Sequence, residues 1–265
     1  MLLRKGYSDG PEGQLHWRMM ASEGEACQRE LYCFSPAPFG SIAFTNIMPH
    51  LAQDRRVIAP DYPGQAGSDG ESTEPSIERY ADSMLAVIEH LSGDRSIDVL
   101  GFHSGCLVAA ELKRRIPDRI GHTILIDVPA FDPETRAKYL PMAGRPFEMS
   151  PDFNSVAKAW EMAVTKRLES QTLEQCLAMF ADTVGNGPRI NATFHAAFTY
   201  DVEASFGALR GPITIIASKS SLLEASRRAS QLISQSKLIE LLDIEHSVLD
   251  LHADLTARVV SKVLV

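Results

Sequence analysis

The sequence predicts an α/β fold: a doubly covered, mainly parallel sheet carrying a helical cap insertion. Three observations carry that expectation. Short apolar runs rich in β-branched residues alternate with segments of helical periodicity through residues 1–131 and again through 211–265. Between them, from Asp132 to about Arg210, the strand-like runs stop and helical segments rich in Ala, Met and aromatic residues take over. At the centre stands Ser96 to Asp118, SIDVLGFHSGCLVAAELKRRIPD, an apolar run, a glycine-flanked turn and a helical pattern that ends at Pro117. A crossover between neighbouring parallel strands needs a helix, so the alternation implies a parallel sheet with helices on both faces. The expected organisation is a core of residues 1–131 and 211–265 with a helical cap over 132–210.

Taken in order, Gln14 to Met20 alternates in part and Glu30 to Phe34 is a short apolar run broken by Ser35-Pro36-Ala37-Pro38, which predicts two early strands and a loop. Ser41 to Leu51 suits a helix. Arg56 to Pro60 is a third strand, ending in the turn-rich DYPGQAGSDG of residues 61–70. Ile77, Tyr80, Met84, Val87 and Leu91 recur at helical spacing after Pro75. The central strand, turn and helix come next, and His122 to Val128 is a continuous apolar strand interrupted at Asp127. After the cap, Ile213 to Ala217 and Leu238 to Leu242 are strands, with helices near Leu222 to Ile233 and after Asp250.

Composition narrows the function classes. A formal charge of −8 and an isoelectric point near 5.5 argue against nucleic acid and anionic membranes as partners, since both need a basic face. A small-molecule substrate fits better. Cys27, Cys33, Cys106 and Cys176 show no CxxC spacing, so neither a zinc site nor a disulfide framework is indicated and no metal or other cofactor is expected. The amino terminus lacks an apolar signal core and no run approaches the ~18 apolar residues of a membrane span, so a cytoplasmic location is expected. The sequence leaves a homodimer open.

The chemistry centres on Gly101-Phe102-His103-Ser104-Gly105. A small-x-x-x-small pentapeptide between strand and helix is the form of a nucleophile elbow, where small residues let the backbone turn sharply and lift the central side chain above the sheet. Together with RVIAPDYPGQAGSD before it and IEHSV near the carboxyl terminus, VLGFHSGCLVA resembles the α/β-hydrolase fold family over most of the chain. The resemblance implies a nucleophile, an acid and a histidine in that order, at the ends of parallel strands. Ungapped, it puts His103 on the nucleophile position. A one-residue slip would put Ser104 there, with Phe102 and Cys106 at the positions that should be small.

The remaining roles follow from the resemblance. His246, after the last strand, is the expected general base, whereas His16, His50, His90, His122 and His252 read as surface or packing residues. The family's usual acid position reads Ala217-Ser218-Lys219-Ser220-Ser221, so Asp127, at the end of the strand before the cap, is the preferred acid, with Glu224 and Asp250 behind it. The oxyanion donors fall near Ser104 and Ala37, where Ser35-Pro36 replaces the family's frequent His-Gly. Trp160, Phe194, His195 and Phe198 in the cap are candidate substrate contacts. Three functions remain open at this stage. The first is hydrolysis of a small ester, lactone or C–C bond; the second is a lyase, isomerase or cyclase step using His103 and His246 for proton transfer; the third is non-catalytic binding.

Overall fold

A computed structural model describes residues 1–21, 28–70, 74–143 and 150–264. Eight strands form one sheet in the order β1-β2-β4-β3-β5-β6-β7-β8. They are β1 (Arg4–Gly10), β2 (Gly13–Met20), β3 (Glu30–Phe34), β4 (Val57–Pro60), β5 (Ile97–Phe102), β6 (Ile120–Ile126), β7 (Ile213–Ser218) and β8 (Ser236–Leu241). Strands β1 and β2 pair antiparallel, as do β2 and β4, and every pairing from β4 onward is parallel. The mainly parallel α/β expectation holds.

Helices cover both faces. These are α1 (Met48–Leu51), α2 (Ile77–Ser92), α3 (Gly105–Arg115), α4 (Pro133–Ala143), α5 (Phe153–Ala163), α6 (Leu173–Gly185), α7 (Ala192–Thr199), α8 (Val202–Ala208), α9 (Leu223–Leu232) and α10 (Ala253–Val263). The pleat sends successive side chains of β3 to opposite faces. Tyr32 and Phe34 join one buried cluster with Leu107 of α3, Val87 of α2, Phe206 of α8 and Ala229 of α9. Leu31 and Cys33 join the other, with Met48 and Leu51 of α1 and Val260 of α10. Between β6 and β7 the described residues form only helices and turns, from α4 to α8.

Two expectations need correction. Arg4–Gly10 is a strand that the periodicity did not announce, because RKGYSDG is polar and lies on the sheet edge, held to β2 by backbone pairing. Ser41 to Leu51 is not one helix but a 3-10 turn at Ser41–Phe44 followed by α1. Pro49 lacks the N–H that would continue a helix back onto Thr45, so the second helix starts afresh with proline in its first turn. Cys33, Cys106 and Cys176 are free and buried, and Cys27 lies outside the described residues. No helix among the described residues is long and apolar enough to cross a membrane.

Candidate active site

The carboxyl ends of β3, β5, β6 and β7, with the loop after β8, converge on one region. At its centre is the turn between β5 and α3. A Cβ on Gly101 would lie 2.4 Å from the carbonyl oxygen of Gly105, and a Cβ on Gly105 would lie 2.0 Å from the carbonyl oxygen of Phe34. Neither contact is tolerable, so only glycine lets α3 start so close to the ends of β3 and β5. Midway between them His103 takes φ +50°, the left-handed region that most residues avoid. Its amide donates to Ile126 O at 3.0 Å and its carbonyl accepts from Cys106 N at 2.9 Å, which holds the turn in place. Ser104 follows in right-handed helical conformation and caps α3 without a side-chain cap bond.

The His103 ring lies against Phe102, with ring centroids 4.1 Å apart. Burial, with the Arg167 guanidinium nearby, pushes its pKa down to about 4, so the imidazole is neutral near pH 7. Ser104 Oγ accepts a hydrogen bond from Ala37 N at 2.7 Å. The hydroxyl therefore occupies the amide of the loop after β3 and leaves its own proton free to donate.

Asp127 ends β6, also with a positive φ of 50°. Its Oδ1 accepts from Ser218 N and its Oδ2 from Ser218 Oγ, both at 2.7 Å, while its amide donates to Ile216 O at 2.9 Å. The carboxylate thus bridges the ends of β6 and β7 and makes no hydrogen bond or ion pair with His246, contrary to the expected pairing. Burial holds its pKa above the ordinary aspartate value despite the two donors. His246 is exposed on the loop after β8, beside Glu245, which pairs with Lys219 at 2.7 Å. Ser247 Oγ donates to Ser170 O at 3.0 Å and ties this loop to the segment after α5. Of the alternative acids, Glu224 is exposed on α9 and pairs with Arg227 at 2.7 Å. Asp250 accepts from Asn46 Nδ2 at 2.9 Å and from Gln171 Nε2 at 2.6 Å.

Two cavities meet at Ala37 and His103. One, of about 380 Å³, is lined by polar groups that include Arg167, Gln171, His246 and Asp250, together with Phe39, Phe102 and Asp127. The other, of about 220 Å³, is lined by Ser104, Pro129, Phe131, Phe194, Phe198 and Leu222. Phe131 and Phe198 are stacked there with centroids 5.7 Å apart. Phe194 and Phe198 thus face a cavity. Trp160 and His195 line neither: Trp160 is 41% exposed and packs edge-on against Phe180. Ser35 is buried beneath the loop, with its carbonyl accepting from Tyr62 Oη at 3.0 Å, and it lines neither cavity. The residue that sequence reasoning missed is Arg167, from the short turn after α5, because a basic residue in TKR carries no local sign that its side chain turns inward.

Residues 36–253 match the family model described as alpha/beta hydrolase fold. The chain belongs to that family. Among solved structures, this alpha/beta hydrolase resembles the enol-lactonase from Burkholderia xenovorans LB400, with a TM-score of 0.79 at 18% identity over 98% of this chain and 99% of that one. The bromoperoxidase from Bacillus anthracis gives 0.79 at 16% identity over 98% and 99%. A thioesterase domain from the curacin biosynthetic pathway gives 0.76 at 17% identity over 99% and 100%. At such identities the shared property is the fold.

Proposed function

We propose that this alpha/beta hydrolase cleaves a small ester or lactone with water, rather than a side-chain hydroxyl, as the attacking group and His103 as the general base. The observation that supports this most directly is the neutral imidazole of His103 at the left-handed apex of the turn, lining both cavities. A serine at that apex would form an acyl-enzyme; an imidazole instead takes a proton from water as the oxygen attacks the carbonyl carbon. The tetrahedral oxyanion is met by the Ser104 hydroxyl, which Ala37 N polarises. The imidazolium then returns the proton to the leaving alkoxide, giving acid and alcohol. His246 lines the polar cavity from the loop after β8, and Asp127 lines it from the end of β6, held by Ser218. The helices between β6 and β7 act as the cap that closes over the substrate. The neighbours named for lactonase and thioesterase activity are consistent with carbonyl chemistry on this scaffold.

A panel of p-nitrophenyl esters and small lactones tests the reading. His103→Ala should lower kcat about 10²–10⁴-fold. Ser104→Ala should keep measurable turnover, and a fluorophosphonate should leave Ser104 unlabelled. Labelling of Ser104 together with complete loss of activity in Ser104→Ala would overturn it. A second reading, proton transfer without hydrolysis, draws on the same absence of a hydroxyl at the apex. It predicts His103-dependent incorporation of solvent deuterium into carbonyl compounds that are not cleaved.

A further inference from the structure

The charged groups lining the polar cavity are not equally satisfied. Lys166 pairs with Glu161 at 3.0 Å, Glu245 with Lys219 at 2.7 Å, Asp127 is held by Ser218 and Asp250 by Asn46 and Gln171. Arg167 is the exception. Its Nε donates to Met162 O at 3.3 Å, and its guanidinium lies 4.6 Å from the ring centroid of Phe39. No carboxylate among the described residues comes within ion-pair distance of it, and its terminal nitrogens have no protein acceptor there. Asp250 influences it only at longer range.

A half-buried guanidinium stacked on an aromatic ring, with its two-nitrogen fork unpaired, presents the geometry that binds a carboxylate through two parallel hydrogen bonds. Stacking on Phe39 fixes the plane of the fork and leaves its edge to a ligand. The second cavity, beyond His103, offers the opposite chemistry: Phe131, Phe194, Phe198 and Leu222 supply apolar surface and no charge. A molecule reaching from one to the other would pass its reacting carbonyl over His103 and Ser104.

We infer that Arg167 is the anchor for a free carboxylate of the substrate, which is an ester or lactone acid with an apolar or aromatic group seated in the Phe131–Phe198 cavity. This rests on the proposed hydrolysis only for the identity of the reacting bond; the anion site stands on its own geometry. It also explains how a base with so low a pKa could work. Arg167 is one of the two influences that lower the His103 pKa, and a bound carboxylate would neutralise it, making the imidazole more basic when substrate is present.

Binding rather than turnover tests the assignment. The carboxylates phenylacetate, 3-phenylpropanoate and 5-phenylpentanoate are titrated calorimetrically into the full-length protein alongside their uncharged amides. At least one acid should bind, with its amide at least about tenfold weaker. Arg167→Met should lose at least about tenfold in affinity for that acid, the scale of one charged hydrogen-bonding contact. Arg167→Lys should fall in between, because it keeps the charge without the fork, and should guard against simple misfolding of the methionine variant. Lys237→Ala, at an exposed lysine of β8 that lines neither cavity, should bind the acid as the parent does. The inference is overturned if no acid binds, if acid and amide bind alike, if Arg167→Met binds unchanged, or if Lys237→Ala loses as much as Arg167→Met. Arg167-dependent binding with no ester or lactone cleaved would instead refute the hydrolase reading and leave the anion site standing.

Discussion

Replacing His103 by Asn should remove a defined part of the protein's sensitivity to acid. In the folded protein His103 resists protonation until about pH 4, against about 6.5 for an unperturbed histidine, chiefly because burial disfavours the imidazolium and secondarily because Arg167 repels it. Below pH 6.5 the unfolded chain therefore takes up a proton at residue 103 that the folded chain refuses. Stability falls as pH drops through this window and is untouched above it. At pH 4.5 the full linkage amounts to about 2.5 kcal/mol, reduced to about 2 kcal/mol because the ring keeps some contact with cavity water. Asparagine accepts a left-handed φ without titrating, so the turn at 103 persists while the proton effect disappears. Urea unfolding followed by circular dichroism at pH 8 and pH 4.5 reads the difference. The parent should lose about 2 kcal/mol more than His103→Asn between the two conditions. His122, whose pKa burial also lowers, contributes equally to both proteins and cancels. Glu111 and Glu203 are held below the ordinary glutamate value, so most of their contribution is lost at pH below that window. Equal losses in parent and variant would show that the histidine is solvated in the folded protein, and the account of a neutral base at the apex would go with it.

Three further substitutions test the packing, the backbone and the buried charge. Gly105→Ala drives a methyl group into the carbonyl of Phe34 at 2.0 Å and should cost about 4 kcal/mol or more, measured by urea unfolding, or prevent folding. Ala66→Gly should stabilise by about 0.5 kcal/mol, raising Tm by a degree or two, because Ala66 holds a φ of +47° that glycine adopts without penalty. Asp98→Asn should cost about 3 kcal/mol by the same assay, since Asp98 is fully buried and faces Arg29 Nε at 2.8 Å and the buried Arg55 at 3.6 Å.

What could be read from the chain divides along a physical line. Strands β3 to β7 are short and mainly apolar and β8 keeps Leu238, Ile239 and Leu241, so their pattern announces them, whereas β1 is polar and exists because β2 offers it a backbone edge. For the turn, the sequence left His103 and Ser104 both open at the apex; in the structure Gly101 and Gly105 are the positions at which a side chain would meet backbone, and His103 between them takes the left-handed conformation. The partnership of Asp127 was not legible. Its hydrogen bonds depend on β7 lying next to β6, so that Ser218, distant in sequence, arrives with both an amide and a hydroxyl. Ser218, in the segment where the family resemblance led us to expect an acid, thus holds both oxygens of Asp127, the aspartate expected to orient His246. In the proposed mechanism the base is instead His103, buried and with Arg167 nearby, and its strength depends on what neutralises Arg167.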